Sequence, residues 1–183
     1  MDTAPALLRH DVARIALRAA REHIDKAAGV ADRTPTAARK QAGNYRKGHL
    51  VLHGLPVTIE TPKGAKRSGV DRGGKPWSVT MPAHYGYVKR TTGADGDHVD
   101  CYIGPHPLSP SVFVVDQVDE RTGRFDEHKV MLGFGDGDAA TEAYMRAFSD
   151  GKGGRRLGAM TKMSMAQFKR WLARGDTTKP VAQ

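Results

Sequence analysis

The chain has 183 residues, of which 39% are hydrophobic and 27% charged, and its formal net charge is +9. This length suits one domain with a real core and an appendage, and the single cysteine excludes an internal disulfide or a cysteine zinc cluster. No apolar run reaches the roughly 18 residues of a membrane-spanning helix, and no signal-peptide core opens the chain. We therefore expect a cytoplasmic protein. Its basic surface suits phosphate-rich partners rather than a membrane.

An amphipathic helix is predicted over residues 4–28, because apolar residues recur there at helical spacing. The stripe consists of Leu8, Val12, Ile15, Ala19 and Ile24, and arginines occupy the polar face. This helix either packs on the main domain or a partner, or contacts nucleic acid or a membrane surface. The polar residues 29–48 follow as a linker with a short helix from Thr36.

Short strands come next, and helices come late in the chain. Strands are predicted in 49–60 (two, broken at Gly54), 77–81, 99–103, 112–118 and 127–134, and helices over 138–148 and 164–174. The Gly- and Lys-rich residues 61–76 are predicted as a mobile basic loop. This order favours an α+β protein with a small β-barrel and packed helices. We divide the chain into a helical extension and linker (1–45), one domain (46–175) and a tail (176–183).

The densest acidic group is the sequence DGDHVD at residues 95–100. Asp95, Asp97 and Asp100 are carboxylates that repel one another unless a cation lies among them. Hard oxygen ligands of this kind suit Mg²⁺ better than zinc, whereas an Asp-rich turn before a strand is the structural alternative. Residues 95–142 hold eleven acidic and three basic residues between two basic stretches, and a metal–phosphate site needs both kinds of group.

This block resembles the D-G-D-P-V-D signature of the family I soluble inorganic pyrophosphatases. That family has a Tyr-Gly-Tyr/Phe element ten residues before its first signature aspartate, as Tyr85 stands ten residues before Asp95 here. Other elements resemble the family in the same order: Glu60, Val70-Asp71-Arg72, Asp119-Glu120 and Glu127-His128-Lys129. Residues 45–172 also look like the pyrophosphatase-like domain of phage and mobile-element polyvalent proteins, which implies a host cytoplasmic location.

The resemblance implies an OB-like barrel, a Mg²⁺ site (with Mn²⁺ as the alternative ion) and hydrolysis of pyrophosphate or a related phosphoanhydride. It implies that Asp97 is the general base. The implied metal ligands are Asp95, Asp100, Asp119 and one of Asp126 and Glu127. We favour Glu127 over Asp126, because Glu127 shares a strand face with Lys129. The implied substrate-binding residues are Glu60, Arg72, Tyr85 and Lys129.

The sequence departs from the family mainly in the phosphate-binding half of the site. Here His98 replaces the signature proline, Thr58 replaces a lysine, and Phe148-Ser149 stands near the place of a Tyr-Lys pair. Candidates for the missing positive charge are Lys63, Lys66, Lys152, Arg155 and Arg156. We expect altered substrate choice or weaker activity. Two alternatives remain: a non-catalytic domain that binds phosphate or nucleic acid through the basic N-terminal helix, and an assembly protein that retains an enzyme scaffold.

Overall fold

The computed structural model describes residues 4–71 and 73–182, with the backbone alone for residues 4–9. The helices in this part of the chain are α1 (Ala4–Val30), α2 (Ala37–Gln41), α3 (Gly137–Met145), α4 (Gly153–Arg156) and α5 (Met165–Arg174). The strands are β1 (Gly48–Leu52), β2 (Leu55–Thr61), β3 (Lys66–Val70), β4 (Pro76–Thr80), β5 (His84–Val88), β6 (Asp100–Ile103), β7 (Ser111–Val118), β8 (Phe125–Leu132) and β9 (Leu157–Ser164).

Seven strands form one sheet in the order β1-β2-β5-β6-β8-β7-β9, and β3 pairs with β4 in a separate hairpin. Neighbouring strands of the large sheet are antiparallel except β6 and β8, which are parallel and place Asp100 opposite Lys129. The predicted α+β class is confirmed. The predicted OB-like barrel is not found in the described residues, because β1 and β9 each have one neighbour and end the sheet as open edges.

The core lies on both faces of the large sheet, since successive side chains of a strand point to opposite faces. In β7, Val112 packs on the face covered by α1 and α5, whereas Phe113 packs on the face covered by α3. Ile24 of α1 and Phe168 of α5 are buried on one face of the sheet, and Tyr144 of α3 is buried on the other. Both layers of helix are therefore needed to bury the sheet.

Among residues 10–30 of α1, whose side chains the structure describes, only the C-terminal part takes part in this core. Ile24 is 4% exposed, whereas Val12 and Ile15 are 61% and 65% exposed. Arg21 fastens the helix to the loop after β6, because its Nε donates a hydrogen bond of 2.8 Å to the carbonyl oxygen of Pro105. The helix predicted here is confirmed. None of the described helices combines the length and the apolar character needed to cross a membrane.

The prediction of a loop over 61–76 is wrong, because β3 lies there and forms a hairpin with β4, the strand predicted over 77–81. The carboxylate of Asp71 accepts hydrogen bonds of 2.9 Å from the backbone N–H groups of Gly73 and Lys75, which closes the turn. Trp77 packs so closely over Gly69 that a Cβ on that glycine would lie 2.8 Å from the indole. The hairpin is thus held by an acidic residue in its turn and by a glycine that contacts a tryptophan, and it lacks the alternation of apolar residues from which strands are predicted.

The segment after α4 contains a strand that was not predicted, β9, and a helix that was. Ser164 caps α5 by accepting a hydrogen bond from the N–H of Gln167, whose side chain in turn accepts one from Ser164, so the predicted start of this helix is confirmed. After α5 the chain returns to the sheet. There the N–H groups of Val181 and Ala182 each donate a hydrogen bond of 2.9 Å to the carboxylate of Asp116.

Candidate functional site

A cleft of about 570 Å³ opens on the α3 face of the large sheet. One wall is the β3–β4 hairpin, and the other is the segment that joins α3 to α4. Neighbouring strands β5, β6, β8 and β7 form the floor. The side chains that line this floor are Tyr85, Tyr102, Gln117, Glu127 and Lys129. The sheet order thus gathers residues that are far apart in the sequence at one concave surface.

Lys129 is the centre of the floor, and only 6% of the residue is exposed. Its Nζ lies 2.5 Å from Oδ2 of Asp100, 2.7 Å from Oε2 of Glu127 and 3.3 Å from the hydroxyl of Tyr85. The hydroxyl of Tyr85 donates to the same Oδ2 of Asp100. The three donors of the ammonium are therefore all used, and two carboxylates converge on one buried cation.

The charges of this cluster are strongly coupled. Burial works against the ammonium, but its interactions with Tyr85, Asp100 and Glu127 hold the pKa of Lys129 well above its usual value. Burial raises the pKa of Glu127, and the attraction of Lys129 only partly offsets that effect. Burial likewise raises the pKa of Tyr102 to about 12. Lys129 is therefore charged and the nearby tyrosines are neutral at physiological pH.

Arg67 is a cation of this site that the sequence analysis missed. Its guanidinium lies 4.4 Å from the centre of the Tyr85 ring and 5.4 Å from that of Trp77. One of its nitrogens donates a hydrogen bond of 3.4 Å to the Tyr85 hydroxyl. Across residues 10–71 and 73–182 it forms no ion pair. The sequence analysis took 61–76 as a loop and therefore left Arg67 out, and no local sequence pattern marks it, because its place in the cleft depends on the pairing of β3 with β4.

Gln117 fixes the position of Glu127. The side-chain amide of Gln117 donates a hydrogen bond of 2.8 Å to Glu127 and a longer one of 3.3 Å to Asp126. Its own oxygen accepts a hydrogen bond of 3.0 Å from the hydroxyl of the buried Tyr144. Of the two acidic candidates in β8, Glu127 thus faces Lys129 in the cleft, whereas Asp126 is exposed.

The structure does not bring Asp95 and Asp97 into the cleft. Both residues are exposed on the loop between β5 and β6, where the carboxylate of Asp95 accepts a hydrogen bond of 3.0 Å from the N–H of Asp97. The signature histidine, His98, stacks on Tyr87 with ring centres 4.8 Å apart. Asp100, at the end of the same motif, is the member that reaches Lys129.

The second acidic turn is occupied by hydrogen bonds and ion pairs. Asp119 accepts hydrogen bonds from the backbone and hydroxyl of Thr122, which lower the pKa of its carboxyl group. Glu120 pairs with Lys152 at 3.0 Å and with Arg156 at 2.8 Å. Of the five basic residues suggested for the missing charge, Arg156 lines the cleft.

Glu60 lies beside the cleft, in a smaller pocket that Arg67 and Trp77 also line. Its carboxylate is 2.6 Å from Nζ of Lys47 and accepts a hydrogen bond of 3.1 Å from the hydroxyl of Tyr45. Arg72, the other predicted partner for phosphate, lies outside the described residues.

Asp100 and Glu127 are the carboxylates whose chemistry fits a Mg²⁺ ion, because both bond the same nitrogen and therefore converge on one point. Mg²⁺ is usually held by one or two carboxylates together with substrate phosphates. Over the part of the chain that the structure describes, no three His, Cys, Asp or Glu side chains converge in a way that could hold a metal. The donor set fits an ion that a bound phosphate completes, rather than a cage made by protein alone.

Comparison with known proteins bears on this cleft. The profile of the family described as Inorganic Pyrophosphatase matches residues 37–173, which contain every side chain of the cleft named above. A comparison with curated proteins returned no match. The matched range covers about three quarters of the 183 residues, from α2 almost to the end of α5. The chain therefore belongs to the inorganic pyrophosphatase family.

Proposed function

We propose that the chain is a Mg²⁺-dependent hydrolase of pyrophosphate or a related phosphoanhydride, with the cleft as its active site. One observation carries this proposal: Lys129 on the cleft floor bonds both Glu127, which also lines the cleft, and Asp100, and the guanidinium of Arg67 lines the same cleft. Hydrolysis of a phosphoanhydride requires groups that bind a divalent ion and cations that neutralise phosphoryl oxygens. Both kinds of group occur here within one concave surface.

In this proposal Asp100 and Glu127 hold the ion, and Arg67 binds phosphoryl oxygens. Lys129 binds them as well once the ion takes a carboxylate from its ammonium, whose three donors are otherwise in use. The hydroxyl of Tyr85, which already donates to Asp100, orients that carboxylate. Bound Mg²⁺ supplies a water of lowered pKa and an alignment for in-line attack. Gln117 keeps Glu127 in place through the hydrogen bond of 2.8 Å between their side chains.

The remaining assignments rest on the family resemblance alone. Asp97 stays the proposed general base, although its carboxylate lies on the exposed loop between β5 and β6. The proposed further metal ligands are Asp95, Asp119 and Asp126. Glu60 and Arg72 stay proposed substrate-side residues. A phage or mobile-element origin and a cytoplasmic location also belong to the proposal.

Phosphate release from pyrophosphate tests the function directly. Purified protein should release phosphate with Mg²⁺ and stop when EDTA is added. Glu127→Gln should lower kcat/KM by about a hundredfold or more, because a ligand contributes at least as much as its supporting groups. Asp97→Asn should lower kcat by about 10²–10⁴, the usual contribution of a general base.

Asp138→Asn is the matched control for these variants, since it neutralises an exposed carboxylate on α3. Its activity should equal that of the parent chain. A folded protein that binds Mg²⁺ but releases no phosphate from pyrophosphate or from any nucleotide would contradict the proposal.

Binding of nucleic acid without catalysis is the second candidate function, and the exposed arginines of α1 favour it. Arg14 and Arg18 are more than 80% exposed, but each pairs with an acidic neighbour, Asp11 or Glu22, so the face is only partly basic. Salt-sensitive binding of DNA or RNA that survives neutralisation of Asp95, Asp97 and Asp100 would support this function.

A further inference from the structure

The two walls of the cleft carry the same pair of groups, an arginine lying on an aromatic ring. On the hairpin wall the guanidinium of Arg67 is 5.4 Å from the centre of the Trp77 ring. On the opposite wall, between α3 and α4, the guanidinium of Arg156 is 4.8 Å from the centre of the Phe148 ring. Trp77 and Phe148 are both half-buried, and both line the cleft. Each wall therefore presents a planar apolar surface next to a cation.

The two arginines differ in what they already bind. Arg156 makes two hydrogen bonds to Asp150, of 3.0 and 2.7 Å, and an ion pair of 2.8 Å with Glu120. Its charge is thereby neutralised, and its role is to hold the wall that carries Phe148. Arg67 touches aromatic rings and the hydroxyl of Tyr85, with no carboxylate paired to it in the described residues. The charge available to a phosphate is thus on the hairpin side, near Lys129.

The cleft is larger than a pyrophosphate requires. Pockets for drug-sized organic ligands have volumes of about 300–1,000 Å³, and this cleft has about 570 Å³. Its floor carries polar groups at Tyr85, Glu127 and Lys129, and its walls also carry charged side chains: Arg67, Asp71, Lys75, Asp150 and Arg156. Pro76, Trp77, Ala147 and Phe148 supply apolar surface on the walls. A ligand that fills the cleft must therefore combine anionic groups with a flat ring whose edges are polar.

We propose that the phosphoanhydride bound here carries an aromatic heterocycle, as in a nucleoside diphosphate or triphosphate. Its phosphates bind at Arg67, and at Lys129 where the Mg²⁺ that accompanies them takes over a carboxylate, and its base stacks against Trp77 and Phe148. Aromatic side chains are sequence-tolerant platforms for stacking, because every base has a π face. In hydrolysis, water adds to one phosphoryl group and the bond from that phosphorus to the bridging oxygen breaks. The attacked phosphoryl group keeps the oxygen of the water, the bridging oxygen leaves with the other phosphate, and the two protons of the water pass to the products and the solvent.

This inference rests on the proposed function for catalysis but can be tested separately by binding. The chain has two tryptophans, and Trp171 packs on His128 and Phe168 on the other face of the sheet. A non-hydrolysable nucleoside triphosphate analogue with Mg²⁺ should therefore quench the fluorescence of Trp77. The quenching should disappear in Trp77→Phe and persist in Trp171→Phe. Pyrophosphate should cause little quenching in Trp77→Phe or in Trp171→Phe, although it should compete with the analogue for binding.

Kinetics supply the second measurement. Trp77→Ala and Phe148→Ala should each lower the ratio of kcat/KM for a nucleoside triphosphate to kcat/KM for pyrophosphate, by about tenfold to hundredfold, the loss expected for one stacked base. Trp77→Phe keeps an aromatic face and should restore most of this ratio. A fold defect would lower both rates together and leave the ratio unchanged.

The outcomes separate the two proposals. Hydrolysis of pyrophosphate without binding or turnover of nucleotides would overturn this inference and leave the proposed function intact. A ratio unchanged in Trp77→Ala and Phe148→Ala, with kcat/KM for pyrophosphate equal to that of the parent chain, would also overturn it. Quenching by the analogue that depends on Trp77, in a protein that hydrolyses nothing, would support the binding site and overturn the proposed catalysis.

Discussion

Lys129 is a positive charge buried at the point where two carboxylates meet. Isolated buried charges are costly, and carboxylates that share a site repel one another. The ammonium offsets both effects by bonding Asp100 at 2.5 Å and Glu127 at 2.7 Å. The same carboxylates are those that we propose for Mg²⁺. The lysine and a divalent ion therefore neutralise the same two carboxylates. Removal of the lysine should increase the stabilisation that the ion gives, and removal of the ion should increase the stabilisation that the lysine gives.

Lys129→Met tests this relation by stability rather than activity. Without metal the change should cost about 3 kcal/mol of unfolding free energy, the lower end for breaking a buried pair, because it leaves two partly buried carboxylates without their cation. Addition of Mg²⁺ should restore part of the loss. Urea unfolding with EDTA or Mg²⁺ measures both values. Lys162→Met, on the exposed side of the edge strand β9, is the control and should respond to Mg²⁺ as the parent does; an equal response in Lys129→Met would contradict binding at these carboxylates.

At the residue scale, the sequence was informative where a side chain belongs to a regular strand. Glu127 and Lys129 are two residues apart in β8, so their common face followed from strand periodicity. The partner that completes this cluster, Asp100, stood in the acidic motif, but its contact with Lys129 depends on the parallel pairing of β6 and β8. Long-range pairing of that kind leaves no local mark, and neither does the position of an exposed side chain such as Asp97.

At the element scale, the β3–β4 hairpin is held by few apolar contacts. Its strands alternate between exposed and half-buried residues, so they bear little of the hydrophobic pattern that identifies strands. The Asp71 turn and the packing of Trp77 on Gly69 replace that pattern. The strands β1, β2, β6, β7 and β8 were predicted correctly, because each has buried apolar residues. In the hairpin β4 was predicted and β3 was not, and β5 and β9 were also missed.

Gly86 shows why the Tyr-Gly-Tyr element requires a glycine. A Cβ at this position would lie 1.9 Å from the carbonyl oxygen of Thr58 on the neighbouring strand β2. The backbone of β2 cannot rotate away as a side chain can. Gly86→Ala should therefore lower the unfolding free energy by about 3 kcal/mol or more, which is the upper end of the usual cost of overpacking a core. The midpoint of urea unfolding measures this loss.

Gly154→Ala is the comparison for that variant. A Cβ there would lie 3.6 Å from the sulfur of Met145, an ordinary contact. Its stability should stay within about 0.5 kcal/mol of the parent chain. Equal stability of Gly86→Ala and Gly154→Ala would contradict the close approach of β2 to β5 at Gly86.

At the scale of the whole molecule, the C-terminal part of α1 packs into the core, although the family match begins after this helix. The matched range starts at residue 37, yet Ile24, Ala27 and Ala28 are buried against the large sheet. The predicted division at residue 45 follows the change in sequence composition and says nothing about this packing. One helix thus has a docked end that belongs to the core and an exposed end.

Gly48→Ala tests how tightly α1 is docked. A Cβ at Gly48 would lie 2.1 Å from the carbonyl oxygen of Ala27, so the helix must move off β1. We expect a loss of about 1–3 kcal/mol in unfolding free energy and faster hydrogen exchange at the C-terminal amides of α1. Gly29→Ala, with no atom within 4 Å of its Cβ, should instead stabilise the helix by up to about 1 kcal/mol. Unchanged exchange in Gly48→Ala would contradict the docking.

The parallel pairing of β6 with β8 also sets an order of events during synthesis. Asp100 leaves the ribosome 29 residues before Lys129, and β8 can reach β6 only after the turn that follows β7 has formed. Contacts between such distant residues come late, because the loop between them must first close. The carboxylate of Asp100 therefore stays hydrated through the early part of folding. The floor of the cleft is completed late, and a nascent chain that stops before β8 would carry the acidic motif without its internal counter-charge.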